Sequence, residues 1–225
     1  MQVHQISAQQ IQSKEAFLKT LAACTQNTSD ISSASNNASA NNAGATCYLV
    51  ATPALIDAPL SEVSSAFFDG NKEIALQLFE AVKNNVFALV EGILLDQKAA
   101  CISRLGDLFT EIEWLLHDKP VRAFPYYKDQ IVCTGAVLGS ALFYHFLLEQ
   151  GVDAVFVDIR DCIVTSDDFG GAGVLETITQ ARIQQNFIPG RTHVTQAGIG
   201  ATDQNENAML TAEGNDWVLK TIKGL

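Results

Sequence analysis

The stretch VDIRDCIVTSDDFGGAGVLE, residues 157 to 176, gathers residue types that can do chemistry: adjacent carboxylates at Asp167 and Asp168, then Gly170, Gly171 and Gly173. Carboxylate oxygens are what hard cations such as Mg²⁺ select, and glycines let a backbone approach a phosphate. The spacing, however, matches neither G-x-x-x-x-G-K-[ST] nor G-x-G-x-x-G, and no Lys or Arg falls inside the glycine run. A solvated turn capped by Asp, with glycines for backbone freedom, is the plainer reading. Thr134 and Gly135, read as a strand end opening a helix, stand where α/β sheets bind ligands, and form a candidate anion or amino-acid site. His4 has the chemistry of a general acid or base, but it is isolated near a polar N-terminus, where a structural or solvated role is the ordinary one. His117, His145 and His193 are far apart with no carboxylate at ligand spacing, so no zinc site is expected.

Composition narrows the partners. Fourteen Lys plus Arg against 25 Asp plus Glu give a formal net charge of -11 over 225 residues. That charge repels phosphate backbones and anionic lipid, so no nucleic acid and no membrane are expected. The N-terminus MQVHQISAQQ lacks the basic and apolar regions of a leader, and no apolar run stands out as a membrane span. The five cysteines, Cys24, Cys47, Cys101, Cys133 and Cys162, contain no C-x-x-C pair and read as reduced, buried thiols of a cytoplasmic protein.

These groups need a scaffold, and 48% hydrophobic residues suffice for one sizeable core. Val3 to Ile6 reads as a first strand, followed by a helix carrying Ile11, Phe17, Leu18 and Leu21. Residues 25–46 hold almost no large apolar side chain and are expected to form a disordered or mobile loop. Cys47 to Ala51 is a buried strand ended by Pro53. Two amphipathic helices follow, one marked by Ala75, Leu78, Phe79, Val82, Val86, Leu89, Val90 and Ile93, the other by Ile102, Leu105, Leu108, Phe109, Ile112, Leu115 and Leu116. They should pack antiparallel, joined around Asp96 to Ala99. Asp129 to Cys133 reads as a strand feeding a helix with Leu138, Leu142 and Phe146, and Ala154 to Ile159 as the next strand, together a βαβ unit. Leu175 to Gln185 is expected as a helix, Thr192 to Gln196 as a strand, and Gly198 to Asn207 as a polar turn.

Three stretches carry a family likeness: DQIVCTGAVLGSALFYHFLLEQGVDAVFVDIRD, IVTSDDFGGAGVLE and IPGRTHVTQAGIGATDQNENAMLTAEGNDW. They resemble aspartate kinase, an amino-acid kinase-fold enzyme, most closely the kinase portion of bifunctional aspartokinase–homoserine dehydrogenases. The likeness implies an α/β fold, three-layer α/β/α with a mostly parallel sheet: an amino-acid kinase-like N-lobe with a helical-hairpin insertion. It also implies one domain over residues 1–225, without the C-terminal nucleotide-binding half and the ACT domains of the family.

The same resemblance places a vestigial substrate site at His4, Thr134, Gly135, Asp168, Phe169, Gly170, Gly214, Asn215 and Asp216. The family's lysine and glycines of the first strand fall on His4, Ile6 and Ser7; its Glu beside the kept Gly135 falls on Ala136; its carboxylate-binding Arg falls on Gly173. With those cations and backbone gaps gone, the family's ATP and Mg²⁺ are not expected to bind this chain alone, and no catalytic residue is assigned. The implied function is a non-catalytic homologue acting through protein partners, with a second copy or a partner covering the open sheet edge. A kinase subunit completed by another chain and an amino-acid-binding sensor are the alternatives.

Overall fold

The computed structural model describes residues 1–7, 10, 15–16, 19–20 and 46–225. Of the helix expected around Ile11 to Leu21, residues 15–16 and 19–20 are described and are helical, the Thr20 hydroxyl donating to the Ala16 carbonyl at 2.9 Å; its other residues, and the expected loop up to residue 45, lie outside the described residues. Strand β1 (Gln2–Ile6) and strand β2 (Thr46–Val50) pair in parallel, and every residue of β2 is buried, so both faces of the sheet are covered there. Pro53, its φ fixed at −58°, precedes helix α1 (Ala54–Phe68), which keeps Pro59 inside it. The buried stripe Ile56, Leu60, Val63 and Phe67 explains why α1 tolerates that proline: four apolar side chains at helical spacing hold it to the core.

Helices α2 (Lys72–Ile93) and α3 (Lys98–His117) form the expected antiparallel pair. Phe109 contacts both Phe79 and Phe87 edge-on, at 5.9 and 5.4 Å between centroids, and the Lys72 ammonium donates to the His117 carbonyl at the far end. Glu149 closes the bend between them, its carboxylate accepting from the N–H groups of Leu95, Asp96 and Gln97.

Helix α4 (Phe124–Glu149) corrects the sequence reading. Asp129 to Cys133 is not a strand; it lies inside this 26-residue helix, so the βαβ unit expected to begin there does not exist. The helix is buried on nearly all sides, which removes the polar stripe that would have betrayed a helical period. It also corrects the reading of apolar runs. Among the described residues α4 is long and apolar enough to cross a bilayer by length and composition, with mean hydropathy 1.8, yet 89% of that window is buried inside the fold. It is a core helix.

Strand β3 (Ala154–Phe156) is shorter than expected and gives way to a 3₁₀ turn at Ile159–Asp161. Helix α5 (Glu176–Asn186) leads to strand β4 (Thr192–Gln196), as the sequence indicates. The supposed polar turn after β4 is a hairpin of strands β5 (Ile199–Ala201) and β6 (Asn207–Met209), and helix α6 (Ala212–Lys223) follows. The main sheet has order β1-β2-β4-β3, all parallel, and α4 packs along β2, β3 and β4. The result is the three-layer α/β/α arrangement with a mostly parallel sheet and the α2–α3 helical hairpin set into it.

Candidate functional site

Beyond the carboxyl end of β3 and β4 lies a cavity of about 410 Å³. Helix α3 supplies Glu111 to its wall, α4 supplies Tyr126, Gln130 and Thr134, and the segment after β3 supplies Asp158, Arg160 and Asp161. Asn207 of β6 closes it and ties the hairpin to α4: its N–H donates to Gln130 Oε1 at 3.0 Å while Gln130 Nε2 donates to its carbonyl at 2.9 Å.

Arg160 is the one cation among the lining residues, and its donors are already engaged. Nε and Nη2 donate to the two Asp158 oxygens at 3.0 and 2.8 Å, and Nη1 donates to Glu111 at 3.3 Å and to Asn207 Oδ1 at 3.2 Å. Burial works against the guanidinium charge, but bonding to Asp158 and the field of Asp158 and Glu111 outweigh it and hold its pKa above the usual value. Three carboxylates, Asp158, Glu111 and Asp161, therefore line the cavity against one guanidinium that Asp158 and Glu111 already neutralise, a setting that disfavours phosphate ligands.

The glycine turn answers the question its composition raises. Gly170 sits at φ +89°, and its N–H donates to the Asp129 carboxylate at 2.8 Å. The N–H of Phe169 goes to Asp167 O, that of Gly171 to Asp168 O, that of Ala172 to Met209 O, and that of Gly173 to Ser166 Oγ. Each N–H from 169 to 173 is thus taken by an acceptor of the chain itself. A phosphate cradle needs such donors free and converging, so the phosphates of ATP do not fit this turn. Nor do the acids assemble a cation site: Asp168 accepts from Ser166 Oγ at 2.9 Å, and among the described residues no group of three or more His, Cys, Asp or Glu could hold a metal ion.

The sequence-derived candidates are spread over the molecule. Thr134 lines the cavity, but from mid-helix, and its hydroxyl donates to the Gln130 carbonyl. Gly135 faces α1, where a Cβ would stand 2.7 Å from Leu60 Cδ1; its role is close helix packing. Phe169 stacks edge-on against Tyr126 at 5.0 Å, which joins the turn of Asp168, Phe169 and Gly170 to the cavity wall. His4 lies in β1, stacked on Tyr48 at 5.6 Å, with burial pushing its pKa down, and it does not line the cavity. Gly214 belongs to a second hollow of about 350 Å³, where its N–H donates to Thr211 Oγ1 to cap α6; Asn215 and Asp216 follow on that helix and line neither hollow. Sequence reasoning passed over Asp129, Gln130, Glu111 and Asn207. Of the lining residues only Thr134 had been singled out; Arg160 and Asp161 close the first stretch of family likeness, which is the signal that could have found them.

Comparison with known proteins follows the same line. Lysine-sensitive aspartokinase 3 of Escherichia coli (strain K12) is 24% identical over 142 residues, 61% of this chain and 31% of that protein. Crystal structures of E. coli aspartokinase III superpose over 99% of this chain at 19% identity. The TM-score is 0.74 for the T-state complex with lysine and aspartate and 0.73 for the R-state complex with aspartate and ADP. The chain has an aspartate kinase-like fold. Aspartate kinase from Clostridium acetobutylicum matches at a TM-score of 0.65 and 13% identity, again over 99% of the chain. No family model matches. The aspartate kinase-like chain spans less than half the length of these relatives, 46% of the E. coli structures and 44% of the clostridial one.

Proposed function

We propose that this aspartate kinase-like domain does not itself transfer phosphoryl groups and works through contacts with another protein or a second copy, in the cytoplasm. The observation that carries the reading is the closed glycine turn: each backbone N–H from residue 169 to 173 is consumed within the chain. Phosphoryl transfer demands positive charge and free donors around the moving group, and the neighbouring cavity offers three carboxylates instead. Four buried free thiols, Cys47, Cys101, Cys133 and Cys162, suit a reducing compartment. Calorimetry with ATP and with aspartate, beside a coupled ADP-release assay, tests the proposal: neither ligand binds and no ADP appears. ATP-dependent turnover by the purified chain refutes the non-catalytic half; a monomer in sedimentation that captures no partner refutes the other.

The cavity itself supports a second reading, an amino-acid sensor. Its volume suits an amino acid, its carboxylates would take the ammonium group, and Asn205 offers a neutral amide to the rest of the ligand. Thermal shift against a panel of amino acids separates the two, because a ligand at 100 times its Kd adds about 2.7 kcal/mol to the folded state.

A further inference from the structure

Asp129 is fully buried within α4, and beyond taking the Gly170 N–H of the closed turn it has been given no role. Its Oδ2 accepts two backbone N–H groups from two different segments, Gly170 of the glycine turn at 2.8 Å and Met209 of β6 at 3.0 Å. Its Oδ1 has no partner among the described residues. One side chain thus pins both the turn and the hairpin to the core helix, 41 and 80 residues away in sequence. The turn in turn carries Phe169, which packs on Tyr126 in the cavity wall.

An ionised carboxylate at zero exposure, with one orphaned oxygen and no cation bonded to it, is costly; the neutral carboxyl avoids the buried charge, with Oδ2 still accepting both N–H groups, at the lesser cost of an unpaired hydroxyl on Oδ1. We propose that Asp129 is a proton-operated clamp whose neutral carboxyl holds the glycine turn and β6 against α4, and whose ionisation favours an open turn and a loosened cavity wall.

Burial raises the carboxyl pKa, opposed by the two N–H bonds and by Lys128 on the same helix. The closed state therefore binds the proton more tightly than a solvated carboxyl does, so closure is favoured at low pH and opening grows as pH rises through the raised value. The other groups around it are Cys133 one turn along α4, Asp168 on the exposed face of the turn, and Arg160 after β3. Cys133 is held un-ionised, with burial raising its thiol and the Asp129 charge adding to that. Arg160 stays charged. Asp167 and Asp168 are the remaining titratable groups on the pinned turn.

Hydrogen exchange at the Gly170 and Met209 amides, read against pH and corrected for intrinsic rates, tests the clamp. Wild-type protection should fall by up to tenfold per pH unit across the window in which the carboxyl ionises. Asp129→Asn, which keeps an oxygen acceptor and cannot ionise, should give flat protection, while Asp168→Asn should keep the wild-type slope. A flat wild-type profile, or the same slope in Asp129→Asn, overturns the proposal. Should Asp129→Asn fail to fold, ¹³C titration of the Asp129 carboxyl in the wild-type protein decides: a midpoint at or below about 3.9 refutes the clamp, and a higher one supports it.

Discussion

The guanidinium of Arg160 is gripped by Asp158, Glu111 and Asn207, so its removal leaves two carboxylates facing each other at the cavity with no counter-charge. Arg160→Met should cost about 2 kcal/mol, below the range for fully buried pairs because Glu111 is half exposed, and Arg160→Lys should recover only part of it for want of the planar fork. Urea unfolding measures both. His145 offers a pH prediction. Burial, then the positive charge of Arg104, lowers its pKa from 6.5 to about 4, so the unfolded chain takes up a proton that the fold refuses. Stability should therefore be complete above about pH 6.5 and fall as pH drops towards 4, and His145→Gln should remove on the order of 2 kcal/mol of that loss in unfolding curves recorded across this window. None of these partnerships was visible beforehand. Asp129 and Met209, or Arg160 and Glu111, lie too far apart in sequence for spacing to reveal them, and a buried Asp looks on paper like any solvated one.

Glycines in helices divide by what surrounds them. Gly139 of α4 lies so close to the Pro53 ring that an added Cβ would overlap it, whereas Gly92 of α2 meets nothing within 4 Å. Gly139→Ala should destabilise by about 1–3 kcal/mol, since the proline is rigid and the helix must move away. Gly92→Ala should stabilise by about 0.5–1 kcal/mol through helix propensity. Thermal denaturation of the pair shows the sign difference. The same contrast explains what the sequence made legible. Helices α2 and α3 are one-sided, so Phe79, Val82, Val86 and Leu105, Phe109, Ile112 recur at helical spacing. Helix α4 has no polar side, and its Ile131–Val132–Cys133 run imitates a strand. Proline at positions 53 and 59 hid α1, and three-residue strands were too short to announce the β5–β6 hairpin.

Across the whole molecule α4 is the common contact, packing on α1, α3, three strands of the main sheet and β6. Its amides should be the last to exchange, opening only with global unfolding, while the exposed turns at Asp167–Asp168 and Asp203–Gln204 exchange early. Native-state hydrogen exchange at rising urea checks that ranking. The fold class, with its mostly parallel sheet, was readable from buried runs and family words, although the βαβ unit read at Asp129 to Ile159 was not there, because a core is specified by hydrophobic pattern along much of the chain. The site was not, because it depends on where polar side chains meet. A chain that stalls before the surrounding helices and strands have assembled displays in α4 a segment that lipid would accept as its own. Partly folded material should then float with vesicles in a density gradient, while the native protein stays in the aqueous layer.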